Sequence, residues 1–427
     1  MSNALLDDLE WRGLIAQSTD RKELESALAK PISLYLGVDP TAPSMHLGNL
    51  VVFLVLKRFQ LAGHRPIALV GGATGLVGDP SGRNAERSLN EVEIVAEWVD
   101  RIRKQLSGFL DFSAKNAAIL VNNLDWTAPV SAIHFLRDIG KHFSVNQMLA
   151  KESVSARLEG GGISYTEFSY QVLQSFDFLE LFRRHDCALQ IGGSDQWGNI
   201  VSGVDLIRRV EGKSSYALTI PLLEKADGTK FGKTAGGAIW LDPSMTSPYA
   251  FFQFFLNSDD RDVEQLLKTF SFKKREELEE LFESLRSNPG AREAHRALAR
   301  EVTTLIHGES EALKVEQAAK ALFGQGEIRD LDLPTLTSAL QELPRTKIGK
   351  GETFPTWVDL IAATGVVDSK SAARRIVKEG GAYLNNEKIS GEDFAPSQSA
   401  GSVIGVITVL LAILLPSLSV VRAGSRA

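Results

Sequence analysis

His46 and Asn49 both carry side chains that can hydrogen-bond a phosphate group, and Gly48 lies between them. Their spacing places both side chains on one face of the first turn of a helix. The start of a helix offers unpaired N–H groups and a partial positive charge, which favour anions. The pattern therefore predicts a phosphate site, although any nucleotide-binding strand–loop–helix crossover with an incidental histidine fits it too.

A second segment carries Lys230 and Lys233, with the hydroxyl of Thr234 beside them. Two ammonium groups and a hydroxyl suit a polyphosphate. The segment is not a P-loop, because Asp227 stands where that pattern needs glycine. We predict a glycine-flanked loop whose lysines hold a phosphate, with an ordinary solvated basic loop as the alternative.

Hydrophobic runs predict the elements that position these residues. Residues 32–36 alternate as a strand does, and 50–61 have helical spacing, with Ser44 as the expected N-cap. Further strands are predicted at 66–70, 118–121 and 187–191. Strands that alternate with helices predict a parallel α/β sheet, in which ligands bind beyond the carboxyl ends of the strands.

The second half of the chain has a different character. Strand patterns end near Pro248, and 261–286 and 291–307 have helical spacing. A small α/β pattern begins at Thr356, and Ser369 is expected to cap one of its helices. We predict a catalytic domain at 1–225, a loop and α-helical domain at 226–323, a linker at 324–354, a small module at 355–392 and an atypical apolar tail at 393–427.

Composition limits the class of protein. The chain has 427 residues with 47 basic and 53 acidic side chains, a balance that argues against an extended nucleic-acid coat. Its one cysteine, Cys187, excludes an internal disulfide and a cysteine-rich zinc site. The N-terminus lacks a secretion signal, so we expect a cytoplasmic protein, and we predict no metal centre.

The tail lacks charge from 394 to 421, and 403–415 is almost wholly apolar. A membrane-spanning helix needs roughly 20 apolar residues, a length that this run reaches only if Pro416, Ser417 and Ser419 are included. We therefore favour a shifted reading frame or a wrongly assigned gene end over a membrane anchor. The glycine run at 71–82 lacks the G-x-G-x-x-G spacing, which argues against a dehydrogenase.

The two phosphate segments together resemble the paired signatures, HIGH and KMSKS, of class I aminoacyl-tRNA synthetases. Asn49 stands where the first signature usually has histidine. Four further segments resemble the bacterial, tyrosine-specific members of this family, and the likeness covers 5–389; the segments are 35–42, 71–82, 166–170 and 192–199. The resemblance implies a Rossmann-like catalytic domain, an all-α domain that binds the anticodon side of tRNA, and a small RNA-binding module.

The resemblance also implies a tyrosine pocket. Tyr170, Gln174 and Asp177 are spaced by four and three residues, so they share one helix face. By the resemblance, Tyr35 and Asp177 bind the substrate hydroxyl, while Asp79, Tyr170 and Gln174 hold its amino group. A half-buried polar stripe is the alternative for the helix.

The implied ATP site contains His46 and Asn49 near the phosphates and two lysines of the loop. The predicted catalytic residues are His46, Asn49, Lys230, Lys233 and Thr234. The predicted ATP-binding residues are Asp39, Gly48, Gly193, Asp195, Gln196 and Lys233. Arg83 and Arg87 are further helpers, with ordinary surface charge as the alternative. The implied reaction activates L-tyrosine with ATP to tyrosyl-adenylate and pyrophosphate, then transfers tyrosine to the 3′ end of tRNA(Tyr). ATP with Mg²⁺ enters as substrate, and no tightly bound cofactor is expected.

The implied partners are tRNA, bound by the small module, and a second copy of the chain. The tRNA-binding candidates are Lys370, Arg374, Arg375 and Lys378, with a solvated charged face as the alternative. Residues 130–158 are the expected dimer surface. A tryptophan-specific relative is a second possibility, but Tyr35 with Asp177 argues against it, because indole has no hydroxyl. An RNA-binding protein without catalysis is favoured only by Asn49.

Overall fold

The computed structural model describes residues 3–81, 90–159, 161–234, 237–322, 328, 331, 333–340, 355–384, 387–388 and 409–411. The chain divides into two compact units. The first comprises Met1–Ser247 and Gln253–Gly308, and the second comprises Pro248–Phe252 and Glu309–Ala427.

The first unit is built on a six-stranded, mostly parallel sheet. Its strands are β1 (Gln17–Ser18), β2 (Ser33–Val38), β3 (Arg65–Val70), β4 (Ile119–Asn122), β5 (Cys187–Gly193) and β6 (Tyr216–Ile220). The strand order is β1-β6-β5-β2-β3-β4; only the edge strand β1 is antiparallel to its neighbour. The predicted parallel α/β sheet is therefore confirmed.

Helices connect these strands. They are α1 (Ala4–Trp11), α2 (Arg21–Leu28), α3 (Leu47–Leu61), α4 (Thr74–Val77), α5 (Val92–Leu106), α6 (Leu124–Thr127), α7 (Ala132–His134), α8 (Val145–Leu149), α9 (Glu152–Glu159), α10 (Tyr165–His185) and α11 (Trp197–Glu211). A π-helical turn, Phe135–Ile139, and a 3-10 turn, Gly140–His142, follow α7.

The middle of the sheet is buried on both faces, which explains its apolar strands. Leu34, Tyr35 and Leu36 of β2 are all buried, and so is Cys187 at the start of β5. The sheet therefore places the carboxyl ends of β2, β3, β4 and β5 side by side at one edge, where the predicted ligand site lies.

A helical region follows the sheet. A short hairpin, β7 (Lys233–Thr234) and β8 (Gly237–Ala238), leads to α12 (Pro248–Leu256), α13 (Asp260–Phe270), α14 (Arg275–Ser287) and α15 (Glu293–His307). The helical spacing predicted over 261–286 proves to be two helices. Asp259 caps α13, and Phe270 packs on Phe255 with ring centroids 5.3 Å apart.

The second unit contains helices and a small three-stranded sheet. Its elements are α16 (Glu309–Leu322), α17 (Leu333–Leu340), α18 (Trp357–Ala363), α19 (Lys370–Lys378), β9 (Ala382–Leu384), β10 (Glu387–Lys388) and β11 (Val409–Leu411). Ser369 caps α19 as predicted, its Oγ accepting from the backbone N–H of Ala372 at 3.2 Å. The stretch predicted as linker contains α17.

The apolar tail contributes one described element, β11, which pairs antiparallel with β9. Within the described part of the chain, none of the helices is long and apolar enough to cross a membrane. The remaining residues of the tail lie outside the described residues.

Candidate active site

Helix α3 begins at the carboxyl end of the sheet, and His46 is its N-cap. His46 Nδ1 accepts hydrogen bonds from the backbone N–H groups of Gly48 (3.1 Å) and Asn49 (3.4 Å), while Asn49 Oδ1 accepts from the N–H of His46 at 3.1 Å. The prediction that Ser44 is the N-cap of this helix is wrong. Its hydroxyl instead donates to the carbonyl of Met45 at 2.8 Å, so it stabilises the loop before the helix.

This capping arrangement orients the two signature side chains. Because His46 Nδ1 is an acceptor, the proton of the neutral imidazole lies on Nε2, which is then a donor. Because Asn49 Oδ1 accepts from the backbone, its amide NH₂ group carries the remaining donor capacity. The asparagine therefore retains the donor function that the predicted phosphate site requires.

The lysine-bearing loop lies against the start of α3. The N–H of Leu47 donates to the carbonyl of Ile239 at 3.1 Å, and the N–H of Ile239 donates to the carbonyl of Gly232 at 2.9 Å. A Cβ built on Gly232 would lie 3.1 Å from the Cβ of Leu47. The rings of His46 and Trp240 are 6.1 Å apart. The structure therefore brings the two signature segments together.

The lysine loop carries Lys230, Lys233 and Thr234. Lys230 is exposed, and its positive charge partly opposes the rise in the pKa of Asp195 that burial causes. The backbone of Lys233 and Thr234 forms β7, but their side chains lie outside the described residues, as do Arg83 and Arg87. The predicted roles of these four residues stay predictions.

A buried tyrosine occupies the centre of the sheet. Tyr35 on β2 is 1% exposed, and its ring lies 5.2 Å from that of Phe178 on α10. Its hydroxyl has no hydrogen-bond partner among the described residues. Burial raises the pKa of Tyr35 well above its ordinary value, and the neighbouring Asp177 raises it further. A buried hydroxyl without a partner is costly, and it marks the place of a missing polar group.

Asp177 on α10 faces this tyrosine. Its Oδ2 accepts from Asn123 Nδ2 at 2.9 Å and its Oδ1 accepts from Trp126 Nε1 at 2.8 Å. Burial raises the pKa of Asp177 to about 7, although both hydrogen bonds oppose the shift. Sequence reasoning missed Asn123 and Trp126. The signal that could have found them is an amide-rich turn, Asn122 and Asn123, directly after a predicted strand.

A second polar cluster surrounds Tyr170, which lies on α10 two turns before Asp177. The Tyr170 hydroxyl donates to Asp39 Oδ2 at 2.7 Å, and Thr74 Oγ1 donates to Asp39 Oδ1 at 2.6 Å. Asp39, predicted as an ATP ligand, thus orients Tyr170 in this structure. The Oε1 of Gln174 is buried and has no hydrogen-bond partner among the described residues.

The end of β5 supplies the third group of predicted residues. Gln196 Nε2 donates to Asp79 Oδ2 at 2.7 Å, which joins the predicted ATP and tyrosine residues. Burial raises the pKa of Asp195, and the charge of Asp79 raises it further. A Cβ on Gly193 would lie 2.5 Å from Asp195 Oδ1, so the glycine leaves room for this carboxylate.

The basic side chains of α19 form a separate feature in the second unit. Arg374, Arg375 and Lys378 are exposed, whereas Ala373 and Val377 of the same helix are buried. Lys370 pairs with Asp359 at 2.6 Å. Within the described ranges, no cluster of three or more His, Cys, Asp or Glu side chains could hold a metal ion.

The chain is similar to proteins of one known family. Residues 27–324 match the family described as tRNA synthetases class I (W and Y). The tyrosine–tRNA ligase of Streptomyces avermitilis is 59% identical over 397 residues, covering 92% of this chain and 93% of that protein. The tyrosine–tRNA ligase of Acidothermus cellulolyticus is 59% identical over 394 residues, covering 91% and 92% respectively.

The chain also resembles a solved structure of a tyrosyl-tRNA synthetase. The C-terminally truncated mitochondrial tyrosyl-tRNA synthetase of Aspergillus nidulans is 33% identical, with a TM-score of 0.69, covering 75% of this chain and 94% of that one. The chain therefore belongs to the class I tRNA synthetases of the tryptophan and tyrosine type, and within that family to the tyrosine–tRNA ligases.

Proposed function

We propose that L-tyrosine binds with its phenol between Tyr35 and Asp177. The observation that carries this proposal is the Tyr35 hydroxyl, which is buried and has no hydrogen-bond partner among the described residues. A substrate phenol placed here donates its proton to the Asp177 carboxylate and accepts the proton of Tyr35. Phenylalanine fills the same space but leaves the Tyr35 hydroxyl without a partner and gives Asp177 no phenol proton to accept, which disfavours it.

The amino group of the substrate then lies against Asp79, Tyr170 and Gln174. Because the Tyr170 hydroxyl gives its proton to Asp39, its oxygen is left to accept from an ammonium group. Gln174 Oε1 is a second buried acceptor, and Asp79 supplies a carboxylate. Three acceptors around one site match the three donors of an ammonium group.

ATP binds across the start of α3 and the end of β5. The donors of His46 and Asn49 and the ammonium groups of Lys230 and Lys233 hold the phosphates, while Gly48, which lacks a side chain, lets the phosphates approach the backbone. Gly193, Asp195 and Gln196 contact the ribose and the reacting carboxylate. Asp39 contributes through its place beside Tyr170. These phosphate-binding residues combine hydrogen-bond donors and positive charge, which stabilise the negative charge that develops on the phosphates in the transition state.

The reaction needs orientation more than a special nucleophile. The carboxylate of tyrosine is ionised at neutral pH and attacks the α-phosphate in line, so no general base is required. Mg²⁺ arrives with ATP as part of the substrate and neutralises phosphate charge. Tyrosyl-adenylate then passes tyrosine to the 3′ end of tRNA(Tyr), which the exposed side chains of α19 help to bind.

Amino-acid-dependent exchange of pyrophosphate into ATP, run with each of the twenty amino acids, tests the proposal. We expect exchange with tyrosine only. The Asp177→Ala variant should lose discrimination against phenylalanine, while Asp100→Ala, which alters a carboxylate of α5, should retain it. Exchange driven by tryptophan would establish the tryptophan-specific alternative, and absence of exchange with every amino acid would favour an RNA-binding protein without catalysis.

We also propose a homodimer formed through residues 130–158. Apolar side chains in this stretch are exposed: Ile133 (73%), Leu136 (54%), Val145 (57%) and Leu149 (37%). Clustered exposed apolar side chains are typical of protein interfaces. We further propose that the sheet unit is a Rossmann-like catalytic domain and that the small module binds RNA. The domain limits predicted from the sequence are part of this second proposal.

The apolar tail calls for a separate experiment. A cytoplasmic location remains our proposal, and a membrane anchor remains the disfavoured alternative. Full-length protein and protein ending at residue 400 should behave alike when mixed with lipid vesicles and centrifuged. Pelleting of the full-length protein alone would establish the anchor.

A further inference from the structure

A chain of hydrogen bonds crosses the carboxyl edge of the sheet and connects the two ends of the proposed tyrosine pocket. It passes through one residue after each of three adjacent strands: Asp39 after β2, Thr74 after β3 and Asn123 after β4. Thr74 Oγ1 donates to Asp39 Oδ1 at 2.6 Å and accepts from Asn123 Nδ2 at 3.0 Å. Thr74 is 2% exposed and Asn123 is 0% exposed, so little water reaches the bond between them.

The ends of this chain are pocket residues. At one end Asp39 Oδ2 accepts from the Tyr170 hydroxyl at 2.7 Å. At the other end Asn123 Nδ2 also donates to Asp177 Oδ2 at 2.9 Å. Tyr170 belongs to the proposed amino-group site, and Asp177 belongs to the proposed phenol site. The two sites are therefore joined by a continuous set of polar contacts, which is buried at Thr74, Asn123 and Asp177 and partly buried at Asp39.

The chemistry of the partners determines the direction of each bond. An ionised Asp39 can only accept, and the NH₂ group of Asn123 can only donate, so the Thr74 hydroxyl must give its proton to Asp39. Asn123 Oδ1 accepts from the N–H of Ala73 at 2.7 Å, which fixes the orientation of the amide. Valine in place of Thr74 keeps the shape of threonine but lacks the hydroxyl, so it would interrupt this chain of hydrogen bonds.

The backbone leaves room for this chain only because residue 71 is glycine. A Cβ on Gly71 would lie 2.1 Å from Asp39 Oδ1 and 2.3 Å from Thr74 Oγ1. Any side chain at this position would displace the contact between the two groups.

We propose that Thr74 is a positioning residue that couples recognition of the tyrosine phenol to recognition of its amino group. The inference rests on the proposed pocket and goes beyond it, because Thr74 itself contacts neither end of the substrate in this scheme. When the phenol engages Asp177, the Asn123 amide is held in place. The Thr74 hydroxyl then stays directed at Asp39, which in turn orients Tyr170.

A double-mutant cycle tests the coupling. The dissociation constant of tyrosine is measured by equilibrium dialysis for the unaltered protein, Tyr170→Phe, Asn123→Ala and the double variant. We expect the combined effect to depart from the product of the single effects by at least about threefold, as is typical of residues in one network. In the Thr74→Val background the two effects should multiply, and in the Thr74→Ser background the coupling should return.

A matched control comes from Thr303, a buried threonine of α15 whose Oγ1 has no hydrogen-bond partner in the described part of the chain. Thr303→Val should leave both tyrosine affinity and the coupling unchanged. If thermal melting shows that Asn123→Ala does not fold, Trp126→Phe replaces it as the phenol-end variant. A departure from the product of the single effects of less than about threefold, while Thr74 is present, would overturn the inference. Absence of tyrosine binding by the unaltered protein would contradict the pocket itself.

Discussion

Asp177 combines an apolar setting with two N–H donors, from Asn123 and Trp126, and this combination determines how the pocket responds to pH. Burial raises the pKa of its carboxyl group to about 7. A carboxylate accepts the phenol proton of tyrosine, whereas a protonated carboxyl group has lost part of that capacity. Ionisation above the pKa therefore favours tyrosine, and protonation below it disfavours tyrosine.

We predict that tyrosine affinity falls as the pH is lowered through 7. Below the pKa the dissociation constant should rise towards about tenfold per pH unit, because a proton must leave before the phenol binds. Equilibrium dialysis over a pH series measures this, with phenylalanine as the control ligand. Phenylalanine does not hydrogen-bond Asp177, so equal pH profiles for the two amino acids would contradict the assignment.

Trp126→Phe should weaken tyrosine binding by about tenfold or more near pH 7.5, because a hydrogen bond to a charged group contributes about 1.5–3 kcal/mol. Loss of this donor also raises the pKa of Asp177 further, so the midpoint of the pH profile should move upward. Trp11→Phe, which alters a tryptophan stacked near Arg12, is the control and should change neither quantity. An unchanged midpoint in Trp126→Phe would show that the indole acts only by packing.

At the scale of elements, the contact between the lysine loop and α3 is the critical arrangement. Gly232 has a φ of +79°, and its missing Cβ leaves room for Leu47. Any side chain here is both strained and obstructed. A small displacement would separate the loop from the start of α3, where the phosphates are proposed to bind.

Gly232→Ala should lower the rate of tyrosine-dependent pyrophosphate exchange by about 10- to 100-fold, the loss typical of misplaced catalytic groups. The dissociation constant of tyrosine should stay the same, because the loop does not contribute to the tyrosine pocket. Gly228→Ala is a matched control: its φ is +78°, but nothing lies within 4 Å of an added Cβ. Equal losses in both variants would attribute the effect to backbone strain alone.

Much of the sheet unit and of the tyrosine pocket can be predicted from local sequence patterns. The apolar runs of β2 to β5 and the spacing within α10 are local, and they predict the elements and the shared face of Tyr170 and Asp177. The pairing of β1 with β6 depends on residues about two hundred positions apart, and neither strand was predicted. A two-residue strand such as Gln17–Ser18 has no pattern of its own and exists only through its partner.

The incorrect and missed predictions within the candidate site also arise from contacts between residues that are distant in sequence. Ser44 has the usual chemistry of an N-cap, but its hydroxyl also accepts from Gln105 Nε2 at 2.9 Å, a contact across 61 positions. His46 takes the cap instead. Asn123 and Trp126 were missed because their importance depends on the position of Asp177, which only the folded chain determines.

At the scale of the whole molecule, Ile133→Lys together with Leu136→Lys should convert the proposed homodimer to monomers. Burial of a lysine charge in an apolar interface is unfavourable. Analytical ultracentrifugation measures the change, and Leu61→Lys, which alters an exposed leucine at the end of α3, should leave the dimer intact. A monomeric unaltered protein would remove the basis for this proposal.

Charge reversal on α19 should separate the two halves of the reaction. Arg374→Glu with Arg375→Glu should reduce tyrosylation of tRNA by about tenfold or more, since phosphate contacts supply much of RNA affinity. Pyrophosphate exchange should continue unchanged. Lys320→Glu on α16, whose lysine pairs with Glu316 at 3.0 Å, is the control. Equal tyrosylation by all variants would leave α19 as a solvated charged face.

The burial of Cys187 at the start of β5 has a practical consequence. Its thiol lies in the hydrophobic core and burial raises its pKa, so maleimide reagents should not reach a reactive thiolate there. The chain has no other cysteine. The Asp227→Cys variant, with its new thiol beside the lysine loop, would therefore accept a fluorescent dye selectively, and the native Cys187 would not have to be removed. Loop movement during adenylate formation then becomes directly observable in the otherwise unaltered enzyme.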